Sequence, residues 1–154
     1  MSSRSKKIIS YTRVFSDLFH FGHLQLLERA KSISDYHICG LFNDDICFKW
    51  NGYLIMSYKE RKAILSNLKC IDEVIEQKEM NPTKNLKEIY ARFPNSEIIF
   101  FQGHQNWMGM PGSAFVKSIG GKVIKPNYNS KLTLDIIRKK LSKSFKVEKF
   151  DFES

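Results

Sequence analysis

Acidic residues are scarce in this chain. Its 154 residues hold 16 Asp and Glu against 25 Lys and Arg, a net charge of +9 with histidine neutral. Cysteine is also rare. Cys39, Cys47 and Cys70 form no Cys-x-x-Cys pair, and an odd number with no export signal reads as reduced thiols. Four prolines and eight glycines are too few for a low-complexity or collagen-like chain. No apolar run approaches the roughly 18 residues that a membrane-spanning helix needs. The N-terminal residues are basic but carry no apolar block of signal-peptide length, so the expected location is the cytoplasm.

What remains is ordinary for a globular protein. The chain is 42% hydrophobic and 27% charged, which excludes a disordered tail or a fibre. Its length suits one domain over residues 1–154, with a core large enough to stand without disulfides. The positive balance favours anionic partners, whether nucleic acid, nucleotides, phosphorylated metabolites or an anionic surface, and does not choose among them.

Two periodicities alternate along the chain. Residues 7–15, 36–42, 71–75, 97–101 and 122–125 are short runs rich in apolar, β-branched and aromatic side chains, so five strands are predicted. Helical spacing predicts helices over 22–33, 57–68, 84–93, 113–119 and 133–145. Ser57 with Glu60 three residues on is a capping box. Alternating strands and helices mean crossover units: an α/β fold whose mainly parallel five-stranded sheet carries helices on both faces. His37 and Cys39, in an apolar run, read as core residues. In such sheets ligands bind beyond the carboxyl ends of the strands, which directs attention to the loops after Phe15, Phe42 and Phe101.

The densest constellation follows the first strand: Ser16-Asp17-Leu18-Phe19-His20-Phe21-Gly22-His23. His20 and His23 are three residues apart, so one helical turn brings both to one face. Gly22 lets a phosphate approach the backbone, and the helix starting here points free N–H groups and its positive dipole end at the same spot. Two imidazoles there suit a polyphosphate better than zinc, which needs further ligands that the sequence does not supply at convincing spacing. The plainer alternative is two histidines in a turn with no chemical role.

This stretch, continued by Leu27-Glu28-Arg29-Ala30-Lys31, resembles the His-x-Gly-His signature of the cytidylyltransferases. The resemblance runs from about Lys7 to Lys140. Asn43-Asp44-Asp45 resembles the family's acidic turn after the second strand, and Lys49 its mobile-loop lysine. Residues 56–61 and 71–75 resemble a later Glu-Arg…Val-Asp-Glu-Val-Ile segment. Gln102 to Trp107 stands where the family has a Gly-Asp-Asp-Trp-like stretch, and residues 128–133 where it has a serine- and threonine-rich phosphate motif. Three departures stand out. Val14 replaces the Gly of the usual Gly-Thr-Phe-Asp opening, His104, Gln105 and Asn106 replace the two acids, and the arginine before the late motif is absent.

The resemblance implies a Rossmann-like three-layer α/β/α fold and a nucleotidyltransferase. CMP would pass from CTP to a small phosphorylated or phosphonylated alcohol, with release of pyrophosphate. His20, His23 and Lys49 would be catalytic. Phe15, Ser16, Asp17, Gly22, Gly103, Trp107, Ser130 and Thr133 would hold the nucleotide. Arg61 and Lys131 would bind acceptor or phosphate. Asp17 suits orienting the turn better than touching substrate. Mg²⁺ would enter with CTP, with no protein metal site. No nucleic acid and no membrane span are expected, and a homodimer is in keeping with small domains of this kind. Three rivals stay open: an adenylyltransferase of the same superfamily, a degenerate nucleotide or anion binder without turnover, and a salt-sensitive polymer binder built on the lysines between 139 and 149.

Overall fold

A computed structural model describes residues 6–101, 111–125 and 134–144. The elements run β1 (Ile8–Val14), α1 (Phe21–Ser32), β2 (Tyr36–Phe42), α2 (Asp44–Asn51), α3 (Tyr58–Ser66), β3 (Glu73–Gln77), α4 (Thr83–Arg92), β4 (Glu97–Phe101), α5 (Ser113–Ser118), β5 (Lys122–Ile124) and α6 (Leu134–Ser144). The five strands form one sheet in the order β3-β2-β1-β4-β5, and every pairing is parallel. This is the Rossmann-like α/β architecture expected. The order reverses between β1 and β4, so the crevice beyond their carboxyl ends is where such a sheet offers a binding site.

Alternation along the strands builds two cores. On one face Val14, Cys39, Leu41, Ile99 and Phe101 pack against Leu26, Leu27 and Ala30 of α1 and Leu65 of α3. On the other, Ile9, Tyr11, Ile38, Ile98 and Phe100 pack against Leu86 and Ile89 of α4 and Val116 of α5. Buried on both faces, β2 and β4 are nearly continuous apolar runs, whereas the central β1 also buries Ser10, Thr12 and Arg13, and β2 buries His37. These polar residues are paired. His37 donates from Nδ1 to the Cys70 carbonyl at 2.6 Å and accepts at Nε2 from the Thr12 hydroxyl at 2.9 Å. The Tyr11 hydroxyl donates to Gln77 Oε1 and accepts from Asn85 Nδ2 at 3.0 Å, tying β1 to β3 and α4. The tyrosine crosses β2 at Gly40, where a Cβ would lie 2.0 Å from the phenolic oxygen.

Beyond shifts of a residue or two at several ends, the structure differs from the sequence expectation in the register of the third strand and in an added helix. The third strand is Glu73–Gln77 rather than 71–75. Ile71 closes a turn onto the Leu68 carbonyl, and the Asp72 carboxylate accepts from the His37 backbone N–H at 2.7 Å and from Lys31 at 2.8 Å, so pairing starts only at Glu73. Residues 44–51, expected as an acidic turn and loop, form α2. Asn43 caps it through the Ile46 N–H at 3.0 Å, Asp44 and Asp45 favour its positive end, and Gly52 (φ 78°) closes it.

Candidate active site

The loop from β1 to α1 is shaped by two non-glycine residues in the left-handed region, Ser16 (φ 59°) and Leu18 (φ 65°). Such conformations persist only where the surroundings impose them. Asp17, between them and 3% exposed, supplies the anchor. Its carboxylate accepts the backbone N–H groups of Ile55 at 2.9 Å and Met56 at 2.7 Å. The Ser16 hydroxyl is buried with no hydrogen-bond partner among the described residues.

The two histidines that follow cap α1 reciprocally. His20 is the N-cap, and its Nδ1 accepts the Gly22 N–H at 3.0 Å. His23 turns back so that its Nδ1 accepts the His20 N–H at 3.1 Å. Each Nδ1 is therefore an acceptor, and in the neutral imidazole the proton sits on Nε2. The rings lie 3.9 Å apart with 36° between their planes, and Phe19 stacks on His23 at 5.6 Å. Burial, reinforced by His20, pushes His23 down to about 3, and burial also lowers His20. At neutral pH both rings are uncharged donors at the start of a helix with no acid in its first turn. The N–H groups expected to be free at this helix start are largely taken up by the histidines themselves, so what favours an anion here is the helix dipole together with the two Nε2–H groups.

Lys49, expected on a mobile loop, is an exposed side chain of α2. Arg61 is wholly enclosed by protein. The resemblance gives it acceptor or phosphate to bind, and it is 0% exposed. Its Nη1 donates to the carbonyls of Phe15 and Phe42, both at 2.8 Å, its Nε to that of Met56 at 3.0 Å, and its Nη2 to Asp44 Oδ1 at 2.8 Å. Four of the five N–H groups of a guanidinium are thus directed at protein. Phe15 is half-buried, with its ring stacked on Phe42 at 4.5 Å. Gly22 is buried in the first turn of α1. Gly103, Trp107, Ser130, Lys131 and Thr133 lie outside the described residues.

Sequence reasoning missed Arg13. It sits at the carboxyl end of β1, nearly buried, with its guanidinium 5.8 Å from the Phe42 ring and 5.2 Å from the Phe100 ring, and it donates to the Met80 carbonyl. Burial lowers it to about 10. Its sign in the sequence is a single cation one residue before the end of an otherwise uncharged strand core.

The paired neutral imidazoles thus stand over a helix N-terminus at the carboxyl edge of a parallel Rossmann-like sheet, the edge at which such sheets bind ligands. A cytidylyltransferase-like family profile matches residues 16–131, and the chain belongs to that family. It is 36% identical over 104 residues to the glycerol-3-phosphate cytidylyltransferase of Bacillus spizizenii, covering 68% of this chain and 74% of that protein. It is 31% identical over 144 residues to the bifunctional protein HldE of Pelobacter propionicus, covering 92% of this chain but only 28% of that larger protein. The fold matches a lipopolysaccharide core biosynthesis protein from Thermoplasma volcanium with a TM-score of 0.58 at 20% identity, over 80% of this chain and 99% of that one.

Proposed function

We propose that this protein transfers CMP from CTP to a small phosphorylated or phosphonylated alcohol and releases pyrophosphate. One observation carries the reading: both Nδ1 atoms of His20 and His23 are engaged by backbone N–H groups, which leaves the Nε2–H of each ring as its donor beside the N-terminus of α1. The cytidylyltransferase named among its relatives supports the choice of nucleotide.

The chemistry asks little of the protein in proton transfer. An acceptor phosphate oxygen is already ionised, so it attacks the α-phosphorus of CTP without a general base. The bond from the α-phosphorus to the bridging oxygen breaks, and pyrophosphate leaves with the electron pair. Catalysis then rests on positioning and on stabilising charge as it spreads over the phosphoryl oxygens. His20 and His23 donate hydrogen bonds to the triphosphate. Neutral rings suit this, since they bring donors without the desolvation cost of buried cations. Lys49, exposed on α2, supplies a mobile point charge between acceptor and nucleotide phosphates. Mg²⁺ would come with CTP and would offset charge on its phosphates rather than occupy a protein cage. The described residues bring together no three His, Cys, Asp or Glu side chains able to hold a metal, and their contribution is the donor set of α1. Gly103 and Trp107 remain proposed for the nucleotide, as do Ser130, Lys131 and Thr133 for its phosphates.

The test is a pyrophosphate-release screen of the four nucleoside triphosphates against phosphomonoesters and phosphonates. Release with CTP and one acceptor class is expected. Release with no nucleotide would leave a binder without turnover.

A further inference from the structure

We propose that Arg61 and Asp17 are positioning residues that latch the helix bearing Lys49 to the turn bearing His20 and His23. The activity side of this proposal rests on the nucleotidyl-transfer reading above. Three segments far apart in sequence meet at the latch. The first is residues 15–17, leading to His20. The second is residues 42–44, entering α2. The third is residues 55–56, leaving it. Arg61 binds all three, through Phe15, through Phe42 and Asp44, and through Met56. Asp17 closes the ring from the other side, through Ile55 and Met56. Met56 is held twice, its N–H by Asp17 and its carbonyl by Arg61. Both ends of α2 are thus tied to the β1–α1 turn, although Cys47 is the one residue that helix buries.

A helix with so little apolar contact takes its position from these polar ties. Arginine suits the task because its planar fork addresses several acceptors at once, whereas a lysine ammonium is a compact point charge on a flexible stem. Removing the guanidinium strands buried carbonyls without donors. The Asp44 contact is the weakest part, since that side chain is 43% exposed.

The test is a double-mutant cycle of Arg61→Lys and Lys49→Ala in the full chain. Pyrophosphate release is read with CTP and the acceptor found in the screen, alongside hydrogen exchange at the amides of Ile55 and Met56. Arg61→Lys is expected to lower kcat/KM at least about tenfold and to speed exchange at both amides at least about tenfold. In the Lys49→Ala background the same change should cost less than about threefold, because residues acting through one another are not additive. Fully multiplicative losses would overturn the proposal. So would lost activity with unchanged exchange, which would make Arg61 a substrate ligand. If Arg61→Lys does not fold, Asp44→Asn carries the same cycle, with smaller effects of the same sign. Exchange reads the latch without turnover, so a protein inactive on every nucleotide sinks the transfer reading while those amides still decide the latch.

Discussion

The imidazole of His23 accepts the backbone N–H of His20 at 3.1 Å, and the two rings face each other 3.9 Å apart. The same side chains therefore cap the helix and, in the proposed reaction, donate to the phosphates, so substitutions at them can separate the two tasks.

His20→Ala or His23→Ala should lower kcat by roughly 10²–10³, the usual loss for one transition-state donor. Each should also lower stability by about 1 kcal/mol, the value of a helix cap. Asparagine keeps a capping oxygen, so His20→Asn should recover the stability and not the rate. Steady-state kinetics with denaturant melts decide this, and wild-type turnover in the alanine variants would remove the histidines from the mechanism.

Acid should weaken the fold. Burial pushes His23 from an ordinary 6.5 to about 3, so the unfolded chain takes up that proton more readily than the folded one. His20 and His37 are lowered in the same direction. Stability from this source is complete above about pH 6.5 and declines as pH drops towards 3. Denaturation midpoints at pH 7.5 and pH 5 should fall in that order, and His23→Asn should flatten the difference. A midpoint that rises on acidification would contradict the assignment of neutral rings.

Lys49→Ala should cost at least about tenfold in kcat/KM, or 1.4 kcal/mol, with no change in melting temperature, because the side chain is exposed. Arginine should rescue it only in part. Lys143→Ala, on α6, is the control. An equal loss there would mean that the assay reads net charge rather than a site.

Gly40→Ala tests the polar tie across the sheet. The added methyl would lie 2.0 Å from the Tyr11 oxygen and 2.7 Å from its Cζ, in a fully buried place. Overpacking of this kind costs about 1–3 kcal/mol, which a thermal melt detects. An unchanged melting temperature would show that Tyr11 has room to move.

Much of this architecture was legible in the sequence, and its gaps have physical causes. The second and fourth strands, 36–42 and 97–101, stand as expected because they are apolar runs buried on both faces. The Ser57–Glu60 box starts α3 as expected. Helix α2 escaped because its boundary signals are polar, Asn43, Asp44, Asp45 and Gly52, and its apolar residues do not share a buried face: Cys47 is buried while Phe48 and Trp50 are exposed. The three-residue spacing of the histidines was visible, whereas the folding back of His23 onto the His20 N–H was not. Arg61 shows the limit most clearly. Its place on a helix could be read from spacing, but its acceptors come from Phe15, Phe42, Asp44 and Met56, which only the fold brings together.

The most direct test is the choice of nucleotide. Phosphate-holding residues serve every triphosphate alike, so the cytidylyl claim stands or falls on the base. Pyrophosphate release should be measured with CTP and with ATP at equal Mg²⁺ and a saturating acceptor. A site built to hydrogen-bond one base leaves its polar groups unpaired with another. The account predicts that CTP is preferred by at least about 10²-fold in kcat/KM, roughly 3 kcal/mol. Equal rates, or a preference for ATP, would contradict it.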